Sequence, residues 1–233
     1  IPLPASKSES NRALIINALS GNLSALQNLS EARDTQTMIR LLASTEETLD
    51  VLDAGTTMRF LTALSAVGET PRILTGTARM QQRPIKILGD ALKSLGAKVK
   101  YLGEEGFPPL KIKPIVDQKT NSIKMQGDVS SQFISAVLMI APCLPQGLNL
   151  ELKGKIGSRP YIQMTLDMMK LFGIHSNWTN QTIEIKPQQY KDYPYVVESD
   201  WSGASYWYSF VALADDAKIK LKGLRQKSLQ GDI

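Results

Sequence analysis

The sequence predicts an α/β fold of repeated βαβαββ units, three forming one domain in a pseudo-threefold arrangement, followed by the start of a second similar domain. Three observations predict it: an internal repeat, apolar spacing that switches between helical and strand periods, and helix-end residues at matching points of each repeat. In one copy Arg83-Pro84-Ile85 precedes a helical pattern of Ile87, Leu88, Ala91, Leu92 and Leu95, then Gly96, then two strand-like runs ending at Ile112-Lys113-Pro114. The order recurs at Arg159-Pro160-Tyr161, with Ile162, Leu166, Met169, Leu171 and Gly173, and ends at Ile185-Lys186-Pro187. Each copy has a further helix upstream, opened by Gly55-Thr56-Thr57 in one and Ser130-Ser131-Gln132 in the other.

Thr56 and Ser131 read as hydroxyl N-caps, Pro84 and Pro160 as first-turn residues, and Gly96 and Gly173 as left-handed C-caps. Residues 99–102, 110–112, 148–152 and 183–185 have the short, apolar or alternating look of strands. A less regular first unit holds helices at 10–19, stopped by Gly21, and at 34–42. A further unit starts at Tyr195-Val196-Val197, with a helix at 202–213 and a strand at 219–221.

Of 233 residues, 42% are hydrophobic and 21% charged, enough to bury a sizeable core and too apolar for disorder. The net charge of +5 favours anionic partners, but Lys and Arg are scattered, which suits small acidic ligands better than nucleic acid. No apolar run is long enough to span a membrane. A single cysteine, Cys143, excludes an internal disulfide and a multi-cysteine metal site, and points to a reducing cytoplasm. Its apolar neighbours predict a buried structural thiol. The chain opens at Ile1 without Met and stops at Ile233 without a closing helix, so it reads as part of something longer.

Helix N-termini offer unpaired N–H groups and the positive end of the dipole, and so attract phosphate and carboxylate. Several such ends carry suitable side chains here. Lys7 supplies a point charge, Ser8 a hydroxyl, and Arg12, one turn on, a planar fork for a carboxylate. Gly55 allows close backbone approach at a strand-to-helix turn, and Arg83 stands just before another helix. Ser130, Ser131 and Gln132 concentrate neutral donors at a third start, and Ser158 and Tyr161 flank a fourth. Each alone also reads as an ordinary cap or turn; their recurrence at equivalent points singles them out. His175 lacks metal or catalytic company and reads as structural, and Trp201, Tyr206, Trp207 and Tyr208 read as helix-face packing.

These residues resemble the 3-phosphoshikimate 1-carboxyvinyltransferase (EPSP synthase) family. The likeness rests on Pro4-Ala5-Ser6-Lys7-Ser8, Asn11-Arg12-Ala13-Leu14, Ala54-Gly55-Thr56, Met58-Arg59, Arg83-Pro84-Ile85, Ser130-Ser131-Gln132-Phe133 and Pro160-Tyr161-Ile162, and continues to Ser228-Leu229-Gln230-Gly231-Asp232. It implies transfer of an enolpyruvyl group from phosphoenolpyruvate to the 5-hydroxyl of shikimate 3-phosphate, with no metal or organic cofactor. It implies two similar domains: 1–7 a crossover segment from the second, 8–197 the N-terminal domain, and 198–233 the truncated beginning of the second. By position, Lys7 would contact phosphoenolpyruvate near the attacking hydroxyl and act catalytically, while Ser8 and Arg12 would hold the shikimate ring and carboxylate. Gly55 and Arg83 would grip phosphoenolpyruvate. Ser130, Ser131 and Ser158 would take the shikimate phosphate, Gln132 would touch both substrates, and Tyr161 would pack on the shikimate.

The chain departs from the family pattern at Asp53, where Asn is usual, at Phe60, where Pro is common, and at Arg159, where Lys is frequent. An anionic Asp53 beside a phosphate site must point away or pair with a cation. The family also runs to nearly twice this length, which makes the chain an N-terminal portion, inactive alone and a monomer when full length. Three alternatives stand beside this reading. A UDP-N-acetylglucosamine enolpyruvyl transferase would carry a loop cysteine near 80–83, where none occurs; an RNA 3'-end-processing relative would carry a basic patch with interleaved aromatics; and a non-catalytic anion-binding module would need only half a site.

Overall fold

The computed structural model describes residues 1–232. Helix α1 (Lys7–Leu19), strand β1 (Leu26–Gln27) and helix α2 (Arg33–Leu42) come first. The second unit runs β2 (Thr48–Asp50), α3 (Gly55–Ala66), β3 (Arg72–Thr75), a single turn α4 (Ala78–Gln81), α5 (Lys86–Leu95), β4 (Lys98–Tyr101) and β5 (Leu110–Lys113). The third runs β6 (Ser122–Gln126), α6 (Ser131–Ile140), β7 (Leu148–Lys153), α7 (Arg159–Leu171), β8 (Ser176–Thr179) and β9 (Thr182–Ile185). Strand β10 (Tyr195–Val196) and helix α8 (Trp201–Leu213) follow.

The sequence repeat is a repeat of topology. The two four-stranded sheets have the orders β2-β3-β5-β4 and β6-β7-β9-β8. In both, a helical crossover makes the first two strands parallel and a hairpin makes the last two antiparallel. Strand alternation sets their faces: Leu148, Leu150 and Leu152 of β7, and Ile123 and Met125 of β6, are buried between more exposed neighbours.

The helices close a circuit behind these sheets. Helices α1, α3 and α6 touch one another, and each pairs with the next helix of its own unit, α2, α5 and α7 respectively. Each outer helix also touches the inner helix of the next unit: α2 touches α3, α5 touches α6, and α7 touches α1. This is the pseudo-threefold arrangement that the repeat predicts. Burial follows position. Helix α5 buries the stripe Leu88, Ala91, Leu92 and Leu95, whereas inner α6 buries nearly every residue, as a helix enclosed on all sides must.

Several local expectations need correction. Helix α3 starts at Gly55 with Ala54 at its N-cap, so Thr56 lies inside the helix, and Ser130 rather than Ser131 caps α6 by accepting from the Gln132 N–H. Pro160 lies in the first turn of α7, but Pro84 precedes α5, whose N-cap is Ile85. Residues 195–196 do not open a separate unit: β10 pairs in parallel with β1, so the chain's late strand completes the first unit's sheet. No strand forms at 219–221; the nearest pairing is an isolated bridge between Pro2 and Lys222. Of the α8 aromatics, Tyr206 and Tyr208 are exposed, at 72% and 49%, whereas Trp201 and Trp207 are half-buried. Cys143 is an exposed residue rather than a buried one, although desolvation still pushes its thiol up to about 11. His175 is exposed at the start of β8. Among the described residues no helix is long and apolar enough to cross a membrane.

Gly96 and Gly173 both adopt positive φ at helix ends, as the spacing predicts. At Gly96, with φ +118°, a Cβ would also run into the backbone carbonyl of Asp117. Gly96→Ala should therefore cost at least about 2 kcal/mol and lower Tm by roughly 4–8 °C, read by thermal unfolding.

Where the first and last segments meet, the Glu9 carboxylate is buried. It accepts hydrogen bonds from the Tyr195 hydroxyl (2.5 Å), the Glu198 N–H (3.1 Å) and Gln230 Nε2 (3.3 Å). Desolvation raises its pKa despite these bonds. The folded chain thus holds this proton more tightly than the unfolded one. Its contribution to stability grows as pH falls through the folded pKa and levels off below the unfolded value. Glu9→Gln removes that component, so the Tm advantage of the parent chain over the variant should increase between pH 7.5 and 5; a constant difference would refute the assignment.

Candidate anion-binding site

Ser6 caps α1 by accepting from the Glu9 N–H (3.4 Å), so the helix begins three residues before the apolar spacing predicts and places Lys7 and Ser8 in its first turn. Lys7 is half-exposed and lies 3.9 Å from the Asp34 carboxylate. Asp34, from α2, reaches across to α3: it accepts from the Thr57 N–H (3.1 Å) and the Thr57 hydroxyl (2.7 Å). It does the capping that the Thr56 hydroxyl was expected to do, with a carboxylate in its place. Among the described residues the Gly55 and Thr56 N–H groups have no hydrogen-bond partner.

Gly55 and Arg83 are in direct contact. A Cβ on Gly55 would stand 2.7 Å from the Arg83 Cζ, so only hydrogen leaves room for the guanidinium to lie against the start of α3. A second arginine joins them. Arg59 Nη1 donates to the Gly55 carbonyl (3.1 Å) and to Gln132 Oε1 (2.7 Å), tying the start of α3 to that of α6. Its guanidinium also covers the Phe133 ring at 4.8 Å. Burial, and then the Arg83 charge beside it, push the Arg59 pKa down to about 10, which leaves it cationic at neutral pH. Arg59 was not among the predicted site residues, yet a signal existed. It follows Gly55 by four positions as Arg12 follows Ser8, and in both cases Nη1 donates back to the earlier carbonyl.

Arg12 is 2% exposed and has no carboxylate partner among the described residues. Nε donates to Thr165 Oγ1 (2.7 Å), Nη1 to the Ser8 carbonyl (2.9 Å), and Nη2 to Ser135 Oγ (3.1 Å) and the Tyr161 carbonyl (3.5 Å). One Nη1 hydrogen remains without a partner among the described residues. Thr165 donates its only hydroxyl hydrogen to the Tyr161 carbonyl (2.9 Å), so Ser135 must donate to Thr165 and turn its lone pairs to Arg12. Desolvation lowers the Arg12 pKa to about 10, so it too remains charged at neutral pH.

Ser130 and Ser131 stand at the start of α6, one turn before the Ser135 that holds Arg12. Ser158, exposed and left-handed at φ +36°, precedes α7 without capping it, and its carbonyl accepts from the Tyr161 N–H (3.0 Å). The Tyr161 hydroxyl donates to Asp232 (3.2 Å), which the Ser202 hydroxyl also contacts. Asp53 meets the condition set by its charge: it pairs with Arg33 at 3.3 Å. With Arg79, Met80 and Arg83 it lines a cavity of about 430 Å³ at the edge of the site. A larger cavity, about 710 Å³ between Leu19, Cys143 and Tyr190, lies where α1 and α6 end. It has no charged lining, and helix C-termini do not attract anions.

Most of the predicted residues therefore fall into a connected set, Lys7–Asp34–Thr57–Gly55–Arg83 on one side and Ser8–Arg12–Tyr161 on the other, while the side chains of Ser131 and Ser158 make no hydrogen bond among the described residues. Arg59, Gln132 and Ser135 join the two. Such a scaffold, with three mutually packed helices whose early turns meet through Arg12, Arg59, Gln132 and Ser135, belongs to the class of α/β proteins built from repeated βαβαββ units.

The EPSP synthase (3-phosphoshikimate 1-carboxyvinyltransferase) family matches residues 42–233. A 3-phosphoshikimate 1-carboxyvinyltransferase of Bacteroides fragilis is 54% identical over 235 residues, covering all of this chain and 57% of the relative. One from Psychromonas ingrahamii is 40% identical and one from Citrobacter koseri 37%, each covering the whole chain and 61% of the relative. An EPSP synthase structure from Acinetobacter baumannii has the same fold, with a TM-score of 0.74 at 18% identity over 89% of this chain and 51% of that one. The chain belongs to the EPSP synthase family, and it spans about three-fifths of the length of these curated relatives.

Gly55→Ala tests the contact at the centre of the set. The added methyl displaces only the flexible end of Arg83, so Tm should change little. Affinity for a small anion, probed with inorganic phosphate, should fall about tenfold through loss of a charge-assisted contact, measured by calorimetry.

Proposed function

We propose that the chain is the shikimate 3-phosphate-binding portion of a cytoplasmic, monomeric enzyme of aromatic amino acid biosynthesis. That enzyme transfers the enolpyruvyl group of phosphoenolpyruvate to the 5-hydroxyl of shikimate 3-phosphate and releases phosphate. The observation that supports this best is Arg12, a buried cation with no anionic partner among the described residues and a free N–H. An unpaired buried charge costs several kcal/mol, a cost that a bound carboxylate would offset.

In this reading Arg12 and Ser8 hold the carboxylate and ring of shikimate 3-phosphate, with Tyr161 packed on the ring. Ser130, Ser131 and Ser158 take its phosphate. Gly55 and Arg83 grip phosphoenolpyruvate, with Arg59 reinforcing the positive field, and Gln132 touches both substrates. Lys7 lies beside the attacking hydroxyl. The reaction is addition followed by elimination through a tetrahedral intermediate, with positioning and preorganised charge supplying much of the rate. It needs no metal or organic cofactor, and no nucleic acid or membrane takes part. Residues 1–7 are a crossover segment, 8–197 one domain, and 198–233 the beginning of a second that supplies the remaining acid–base and anion-gripping groups.

Calorimetry on the 233-residue chain should show shikimate 3-phosphate binding at least about tenfold more tightly than inorganic phosphate, with negligible turnover when phosphoenolpyruvate is added. Equal weak affinities would favour a non-catalytic anion-binding module, and robust product formation would overturn the half-site reading.

A further inference from the structure

Arg12 is held by neutral groups alone, and two of its neighbours are aromatic faces. Its Cζ lies 5.5 Å from the Phe60 ring centroid and 6.0 Å from that of Tyr161, inside the range at which a ring quadrupole attracts a guanidinium. Phe60 is fully buried, on inner helix α3, one residue beyond Arg59. Arg12 therefore touches each of the three units: its own on α1, the second through the Phe60 ring, and the third through Ser135, Thr165 and Tyr161. Removing the second-unit contact would leave the hydrogen bonds to α6 and α7 formed and one face of the cation against an uncompensated apolar wall. Tyr161, from the third unit, offers the more distant of the two faces, and its hydroxyl is committed to Asp232.

We infer that Phe60 is a positioning residue: its ring face fixes the unpaired guanidinium of Arg12 and thereby sets how tightly the site takes a substrate carboxylate. The inference rests on the reading of Arg12 as the carboxylate-holding residue. It separates Phe60 from ordinary core packing, because an aliphatic side chain of similar volume fills the space without providing a negative ring face.

The test uses the 233-residue chain with Phe60 replaced in turn by 4-fluoro-, 3,5-difluoro- and 3,4,5-trifluorophenylalanine, which weaken the quadrupole with little change of shape, and by leucine (Phe60→Leu). Calorimetry compares shikimate 3-phosphate with its carboxyl methyl ester, which keeps the phosphate and ring but loses the charge that Arg12 would meet. Affinity for the acid should fall stepwise with fluorine number, by about tenfold for the trifluoro chain, while affinity for the ester and the Tm stay nearly constant. Phe60→Leu should lose the same preference for acid over ester even if its Tm falls. An acid-to-ester ratio unchanged across the fluorinated series overturns the inference. Equal affinity of the parent chain for acid and ester instead overturns the carboxylate reading of Arg12, and the inference with it.

Discussion

A guanidinium on the axis where three helical units meet is an expensive object to bury, and the fold is arranged around it. Arg12 lies on α1, takes its hydrogen-bond acceptors from α6 and α7, and stacks on a ring from α3. Hydroxyls and carbonyls rather than carboxylates surround it, which keeps it charged without neutralising it. A buried carboxylate beside it would make a more stable pair and a useless site, since no ligand anion could then gain by binding there. The same logic applies to Arg59, whose partners are a carbonyl and an amide oxygen and which feels the charge of Arg83 more strongly than that of Asp34.

The circuit of helices explains why these cations converge. Side chains from the first two turns of α1, α3 and α6 meet one another, so the three helices start at one end of the bundle and their dipoles point the same way. Asp34 occupies one of the N–H groups this creates, on Thr57, and also approaches Lys7. That single carboxylate links two units at the rim of the site while leaving the Gly55 and Thr56 N–H groups open.

The repeat and most helix ends were legible in the sequence because they depend on local rules. Gly96 and Gly173 had to take positive φ, and apolar spacing marked α5 and α7 to within a few residues. Helix caps were read less well. The residue that satisfies the start of α3 is Asp34, 23 positions from Thr57, and no local pattern reveals a partner supplied by another helix. Lys7, Arg12 and Arg83 stand out in the sequence by their places at helix starts, whereas Arg59 and Phe60 do not. Their importance comes from Gln132 and Arg12, both distant in sequence. Strand β10 shows the same limit: two apolar residues suggested a new unit, and only the pairing with Leu26 and Gln27 shows that they finish an old one.

That pairing has a consequence for how the chain is made. Helix α1 leaves the ribosome well before Tyr195 and Glu198, which hold Glu9, and before the β10 strand that seals β1. The second and third units can form their sheets from neighbouring sequence as it is synthesised, whereas the first must wait with a polar, half-built helix until almost two hundred residues have followed. Vectorial synthesis thus assembles this three-unit ring in an order different from the one in which it is encoded, with the first unit locked in after the two that follow it.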